Sequence, residues 1–250
     1  MTKTMQNFKH VGNKIIYDPK FEWEFKDDKK LHAHYIPEIP LDENELFTEL
    51  VKVNFTRVYY ISRFGKANRT PRLTWSWGKI NDEIINYRGL DFIGEAMPIW
   101  LEKLSQICRN IAIKKWQFDP SYNSCIIGRY DNAEDQIGFH KDDETFLEHH
   151  FCANVTLGFS RDFQFKDDNK FIHEIKLGHK SLFFFQDVEH AIPKRAGVKP
   201  GEVRYSISFR KMKNNIGIGN IFYYCRGLAG SLDNENKKNY EIELSKLQNN

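Results

Sequence analysis

The sequence predicts a mainly β protein with flanking helices, and three observations carry that prediction. From residue 122 onward, short runs rich in aromatic and β-branched residues follow one another at nearly even spacing, with turn residues between them and no helical repeat of useful length. The 250 residues include 20 Phe, 11 Tyr and 5 Trp, types that suit a pleated, half-buried surface. Clear helical periodicity is confined to two stretches that precede the β-rich half. Many short strands without intervening helices point to a sandwich, a barrel or a jelly roll, and the pattern leaves these three open. Apolar residues make up 40% of the chain and charged residues 28%, enough to bury one sizeable core.

Residues 1–35 are polar and charged, with "EWEFKDDKK" near the middle, and read as an N-terminal arm or a weakly packed first strand. The stretch "IPEIPLDENELFTELVKVNF" reads as a loop and then a helix. Asp42 is suited to the N-cap, Glu45 lies three residues on, and Leu46, Phe47 and Leu50 follow at helical spacing. The segment of about 55–95 opens with "TRVYYISRFGKANRTPRLTWSWG", β-rich with a Gly-Lys turn. In "MPIWLEKLSQICRNIAI", Pro98 suits the first turn of a second helix, and Ile99, Leu101, Leu104, Ile107, Cys108 and Ile111 repeat every three to four residues. Strands then fill about 120–212: "YNSCIIGRY", "QIGFH", "FCANVTLGF", "DFQFK", "FIHEIKL", "SLFFFQ" and "VRYSISFR". Residues 213–250 are a Gly-containing, then polar, C-terminal extension with room for one short amphipathic helix.

Cys108, Cys125, Cys152 and Cys225 fall in no CxxC or zinc-finger spacing, so free and mostly buried thiols are expected. The first residues show no apolar stretch typical of a secretion signal, and no run approaches 18 apolar residues. The expected setting is intracellular, cytoplasmic or nuclear, with no membrane partner. A net charge of +3 permits a nucleic-acid partner without arguing for one.

The chemistry-bearing residues lie in the β-rich half. In an extended "GFHKDDE", His140 and Asp142 share a side of the strand. Imidazole and carboxylate suit iron(II), and a further histidine from a distant strand would complete a facial triad with three positions open. His190 follows the apolar run "SLFFFQDVE" and is the distinctive partner, with Arg204 and Arg210 beyond it in "RYSISFR". Arg204, Ser206, Ser208 and Arg210 have the same parity. Two arginines and two hydroxyls on one inward face would leave unpaired buried charge unless an anion sits there. Lys141, of opposite parity, should point away, and the adjacent His149 and His150 read as surface residues.

These strings, with "RFGKANRTPR" followed by "WG", "VTLGFSRDFQF" and "GHKSLFFF", resemble the AlkB family of iron(II)- and 2-oxoglutarate-dependent dioxygenases over roughly residues 57–212. The likeness is greatest to the eukaryotic-type members that reverse nucleic-acid alkylation. It implies a double-stranded β-helix, a form of jelly roll, within a dioxygenase domain over 36–212. Nucleotide-recognition hairpins would occupy about 55–95 and the catalytic jelly roll about 120–212. It implies Fe(II), 2-oxoglutarate and O2 as cofactors, His140, Asp142 and His190 as metal ligands, and Tyr130, Arg204, Ser206, Ser208 and Arg210 around 2-oxoglutarate. The family's usual asparagines two residues before the tyrosine and two after the first arginine are Gly128 and Ser206 here.

The implied reaction is demethylation of N-alkylated bases of the 1-methyladenine and 3-methylcytosine type in DNA or RNA. It releases aldehyde while 2-oxoglutarate becomes succinate and CO2. Such bases are cationic and suit aromatic faces and carboxylates, so Trp77, Tyr87, Asp143 and Glu144 are the implied base contacts. Trp77 as core packing and Phe64 as a hairpin tip over the core stay open beside these roles. Phe64 aligns with a finger residue that wedges into duplex DNA, and Lys66 and Arg72 would lie near phosphates. A monomer acting on single- or double-stranded DNA is expected. A dioxygenase of the same fold acting on a protein or small molecule, and a catalytically silent binding homologue, are the alternatives.

Overall fold

The computed structural model describes residues 8–26, 31–55, 57, 59–61, 67–78, 84–87, 90–93, 97–142 and 147–213. Phe64, Lys66, Asp143, Glu144 and Cys225 lie outside them, as does the side chain of Tyr87.

Strands β1 (Phe8–Val11), β2 (Lys14–Tyr17), β3 (Trp23–Lys26) and β4 (Leu31–Ile36) precede helix α1 (Glu43–Leu50). Two hairpins, β5 (Tyr59–Ile61) with β6 (Ala67–Arg69) and β8 (Ile84–Tyr87) with β9 (Leu90–Ile93), flank β7 (Leu73–Gly78). Helix α2 (Ile99–Trp116) leads into β10 (Ser124–Tyr130), β11 (Ile137–His140), β12 (Leu147–Gly158), β13 (Arg161–Lys166), β14 (Ile172–Leu177), β15 (Leu182–Phe185), β16 (Glu189–Ile192) and β17 (Arg204–Met212). One sheet has the order β1-β2-β14-β13-β16-β11 and the other β3-β4-β15-β12-β17-β10-β7. Two mainly antiparallel sheets face to face, with helices outside one of them, are the expected jelly roll.

Both expected helices form. Asp42 caps α1, its carboxylate accepting from the Glu45 N–H at 3.0 Å, which satisfies one otherwise orphaned donor. Pro98 takes the N-cap of α2, just ahead of its first turn, and Gln117 ends the helix in the left-handed conformation at φ 53°. The buried stripe of α2 is Trp100, Leu101, Leu104, Ser105, Cys108 and Ala112, while Ile99 is exposed. The apolar spacing therefore located the helix but placed its buried face one residue off at the start.

The segment read as an arm enters both sheets. Strand β2 pairs with β14 and β4 pairs with β15. Alternation misleads here. Glu24 and Lys26 make "EWEFK" look polar, while Trp23 and Phe25 turn inward. Trp23 stacks on Tyr17 with 3.9 Å between ring centroids and packs against Tyr35 and Phe165. A fully buried aromatic of this size contributes about 1.5–3 kcal/mol, so this pairing belongs to the fold proper.

Two cores result. Between the seven-stranded sheet and the helices lie Leu46, Leu50, Trp100, Leu104, Cys125, Ile127, Val155, Phe184, Ile207 and Phe209. Between the sheets lie Trp23, Tyr35, Tyr130, Cys152, Phe163, Phe165, Phe183 and Phe185. Cys108, Cys125 and Cys152 are buried and form no disulfide among the described residues, as expected. Gly158, at φ +82°, ends β12 where a Cβ would come 2.2 Å from the Val203 carbonyl oxygen. Only glycine permits that approach, and it seats β12 beside the start of β17.

Candidate metal and cosubstrate site

Register builds the metal centre. His140 on β11 pairs directly with His190 on β16, so both rings project from the same side of the six-stranded sheet. Each imidazole is held by a hydrogen bond to the carbonyl two residues before it. Nδ1–H of His140 donates to the Gly138 carbonyl at 2.9 Å, and Nδ1–H of His190 to that of Val188 at 3.0 Å. Both bonds leave Nε2 as the free lone pair, the usual way a protein fixes the tautomer of a metal-binding histidine. Phe163 stacks on His190 at 5.4 Å and Phe185 leans on it at 4.6 Å, which restrains the ring.

Asp142 lies just past the end of β11. Arg210 donates to its Oδ2 through Nε at 3.1 Å and through Nη2. The other oxygen, Oδ1, sits 3.7 Å from His140 Nε2. One ligand atom from each of His140, Asp142 and His190 lies within 4.8 Å of the others, and no second such cluster of His, Cys, Asp and Glu occurs among the described residues. Burial, reinforced by the neighbouring imidazole, lowers His190 to about 3, and burial also lowers His140. Burial would raise Asp142, but the Arg210 guanidinium and both histidines outweigh it and hold the carboxyl well below the usual range. The triad is therefore two neutral imidazoles and one carboxylate at neutral pH, the protonation state a divalent cation needs. His140 is the partly open edge of the triad and His190 its closed side.

The opposing sheet supplies the polar floor. Tyr130 pairs with Arg204, Gly128 with Ser206 and Ile126 with Ser208 across β10 and β17. On the far side of β17, Thr156 pairs with Ser206 and Asn154 with Ser208. Arg204 is fully buried, and burial lowers it to about 10. Its Nη2 donates to the Thr156 hydroxyl at 3.0 Å, while its Nε and Nη1 have no hydrogen-bond partner among the described residues. A buried guanidinium with two unused nitrogens is costly without a counter-ion. A carboxylate beside Tyr130 would satisfy it bidentately. These residues fit 2-oxoglutarate on the ground that the orphaned donors match its charge and shape.

Asn154 and Thr156 were missed from sequence. Nδ2 of Asn154 donates to both Ser206 Oγ and Ser208 Oγ at 2.7 Å. The signal was present in "FCANVTLGF", where two polar residues two apart interrupt an apolar strand. Trp77 lies elsewhere. It pairs with Cys125 on the opposite face of β10 and packs edge-on against Trp100 of α2 at 6.0 Å. That places it in the helix-side core rather than with the metal ligands, because the parity of β7 turns Thr74 and Ser76 towards the floor. His149 and His150 are half-buried and held, His149 Nε2 donating to the Pro120 carbonyl at 2.9 Å and His150 lying against Asp187.

This triad and floor define an iron(II) oxygenase of the jelly-roll class. A family model described as "2OG-Fe(II) oxygenase superfamily" matches residues 40–210, and the chain belongs to that superfamily, with iron(II), 2-oxoglutarate and O2 as its cofactors. Within it, the chain is similar to the DNA oxidative demethylase ALKBH2 of Bos taurus, 28% identical over 189 residues that cover 68% of this chain and 65% of that protein. An oxidoreductase of the 2OG-Fe(II) oxygenase family from Burkholderia pseudomallei shares the fold at a TM-score of 0.50 and 12% identity, over 73% of this chain and 86% of that one. OsALKBH1 gives a TM-score of 0.48 and 16% identity over 67% of this chain and 91% of that one.

Proposed function

We propose that this chain is an oxidative dealkylase of N-alkylated bases in nucleic acid, of the 1-methyladenine and 3-methylcytosine type. The observation that carries the reading is the similarity to a DNA oxidative demethylase, in a chain whose triad and orphaned Arg204 fit the cofactors that reaction needs. When bound, iron(II) with 2-oxoglutarate and O2 would supply oxidative decarboxylation to succinate and CO2 coupled to hydroxylation of a C–H bond, one oxygen atom of O2 going to succinate and the other to the substrate. A hydroxylated N-methyl carbon is a hemiaminal, which collapses to formaldehyde and the unmodified base.

The chain's own residues would hold and orient. His140, Asp142 and His190 hold the metal. Arg210 fixes Asp142 and would hold one carboxylate of 2-oxoglutarate. Tyr130 and Arg204 would take the other carboxylate, with Ser206 and Ser208 lining the same floor. Phe64, Lys66, Tyr87, Asp143 and Glu144 are the proposed contacts to nucleic acid and target base. DNA is the proposed partner, RNA a second substrate of the same chemistry, and a monomer inside the cell the proposed working form. No described helix is long and apolar enough to cross a membrane.

The test is anaerobic loading with iron(II) and 2-oxoglutarate, then air, with a 3-methylcytosine oligonucleotide in single- and double-stranded form. Mass spectrometry should show loss of one methyl with wild type and none with His140→Ala. Succinate formed from an oligonucleotide that keeps its methyl would overturn the substrate and keep the oxygenase.

A further inference from the structure

Gly128 stands where a side chain would be expected to face the cosubstrate, and that space is not empty. A Cβ built there would lie 3.0 Å from Nε and 3.3 Å from Cδ of Arg72, and 3.3 Å from Cε2 of Tyr130. Arg72 therefore lies across the floor of the site, over the one residue of β10 that has no side chain to exclude it. Its position is fixed from behind. Thr70 Oγ1 donates to the Arg72 carbonyl at 2.9 Å, and the Gln136 N–H donates to that of Pro71 at 3.2 Å.

The Tyr130 ring is ringed by cations. The guanidinium carbons of Arg204, Arg161 and Arg72 lie 5.2, 5.6 and 6.0 Å from its centroid. Arg161 is committed to the carbonyls of Asp135 and Asn132. Among the described residues, Arg204 keeps two nitrogens without a hydrogen-bond partner. The Arg72 charge reaches both parts of the site: after burial, it is among the causes that lower Arg204 and His140. Guanidiniums gathered this closely repel one another in a low-dielectric space unless an anion lies between them.

We propose that Arg72 is a cosubstrate-binding residue, which with Arg204 holds the distal carboxylate of 2-oxoglutarate over Tyr130 and occupies the space left by Gly128. This goes beyond the nucleic-acid reading and does not depend on it. It also differs from the phosphate contact expected from sequence for Arg72, because the side chain runs inward along β10. The glycine and the arginine act as a pair: a larger residue at 128 would expel the guanidinium.

The experiment measures 2-oxoglutarate affinity by anaerobic calorimetry on the full chain loaded with iron(II), and 3-methylcytosine oligonucleotide affinity by fluorescence anisotropy. Arg72→Ala should weaken 2-oxoglutarate ~10- to 100-fold, the loss expected for a charge-assisted hydrogen bond, with Arg72→Lys between the two. Gly128→Asn should weaken binding when Arg72 is present and strengthen it in the Arg72→Ala background, where the amide has room. Melting temperatures confirm that each variant is folded. If Arg72→Ala leaves 2-oxoglutarate affinity within about twofold and weakens only the oligonucleotide, the phosphate reading replaces ours. Losses at 72 and 128 that simply add would also overturn it, because residues in contact should couple.

Discussion

Strand β17 points Tyr205, Ile207 and Phe209 at the helices and Arg204, Ser206 and Ser208 at the second sheet. On the helix side Ile127, Val155, Leu157 and Phe184 close around it, all fully buried, and the Arg129 guanidinium lies over the Tyr205 ring near the start of the strand. On the other side the same backbone carries a buried cation with two nitrogens that have no hydrogen-bond partner among the described residues, and two serines tied to Asn154 of the neighbouring β12, whose Oδ1 likewise has no partner among them. Nothing in the strand's own geometry requires the contrast. One face is optimised for the folded state by itself, and the other for the folded state with an anion and a metal in place. A fold that retains unsatisfied buried charge does so at the expense of its own stability.

The largest effect expected from this contrast is on the apolar face. Phe209→Ala should cost about 3–5 kcal/mol, the combined loss of transfer energy and packing at a fully enclosed site, read as a lowered midpoint in urea. A loss under about 1 kcal/mol would mean that this core is looser than its burial implies. The polar face should respond in the opposite sense. Arg204→Met removes an uncompensated charge and keeps the volume, so the chain without cosubstrate should gain about 1–4 kcal/mol, less about 1 for the Thr156 hydroxyl left without its donor. The same variant should lose 2-oxoglutarate binding in calorimetry. Destabilisation together with unchanged affinity would assign Arg204 a structural role and dissolve the contrast.

Acid should act through the inward-facing histidines. Burial lowers His140, His190 and His173, and a depressed group gives stability that is complete above its unfolded value and is lost as pH falls through the folded one. For His190 that window runs from about 6.5 down to about 3. Asp142, also depressed, acts in the same direction at the lower end. The urea midpoint of the metal-free chain should therefore fall steadily between pH 7 and pH 4.5. Iron(II) should raise the midpoint at pH 7 and lose that effect in acid, where protons compete for the same nitrogens. A midpoint flat over this range would contradict the assigned neutral imidazoles.

The sequence disclosed most of the polar face because its chemistry is rare in a strand. Arg204, Ser206, Ser208 and Arg210 at alternate positions, and His140 beside Asp142, stand out against an apolar background whatever their surroundings. What it hid depended on registers between distant strands. Asn154 and Thr156 become part of the floor only because β12 pairs with β17 in one register. Trp77 moves to the helix-side core only because the parity of β7 against β10 turns it there. The N-terminal strands were hidden for a different reason: β1 is exposed throughout and β2 and β3 each bury only one side chain outright, Tyr17 and Trp23, so their composition is that of a solvated segment. Arg72 was visible as a charge, but its direction was not, since only the empty Cβ position at Gly128 lets it run inward.

The smallest effects should come from the hydroxyls, and they sharpen the comparison most. One Asn154 amide group donates both of its hydrogens, one to Ser206 and one to Ser208. Ser208→Ala removes one acceptor, leaves one N–H unsatisfied, and should cost about 0.5–1.5 kcal/mol. Ser206→Ala should cost much the same. Asn154→Ala removes the donor common to both. If the three residues act as one network, adding both serine changes to Asn154→Ala should cost less than the two serine changes cost in the wild-type background. That shortfall is the coupling energy a mutant cycle measures. On the apolar face of the same strand, Ile207→Val should instead add independently to changes outside its contacts. Full additivity around Asn154 would mean that the serines face 2-oxoglutarate separately. A clear shortfall, accompanied by a common drop in 2-oxoglutarate affinity for all three variants, would mean that the amide positions both hydroxyls as one surface for the cosubstrate.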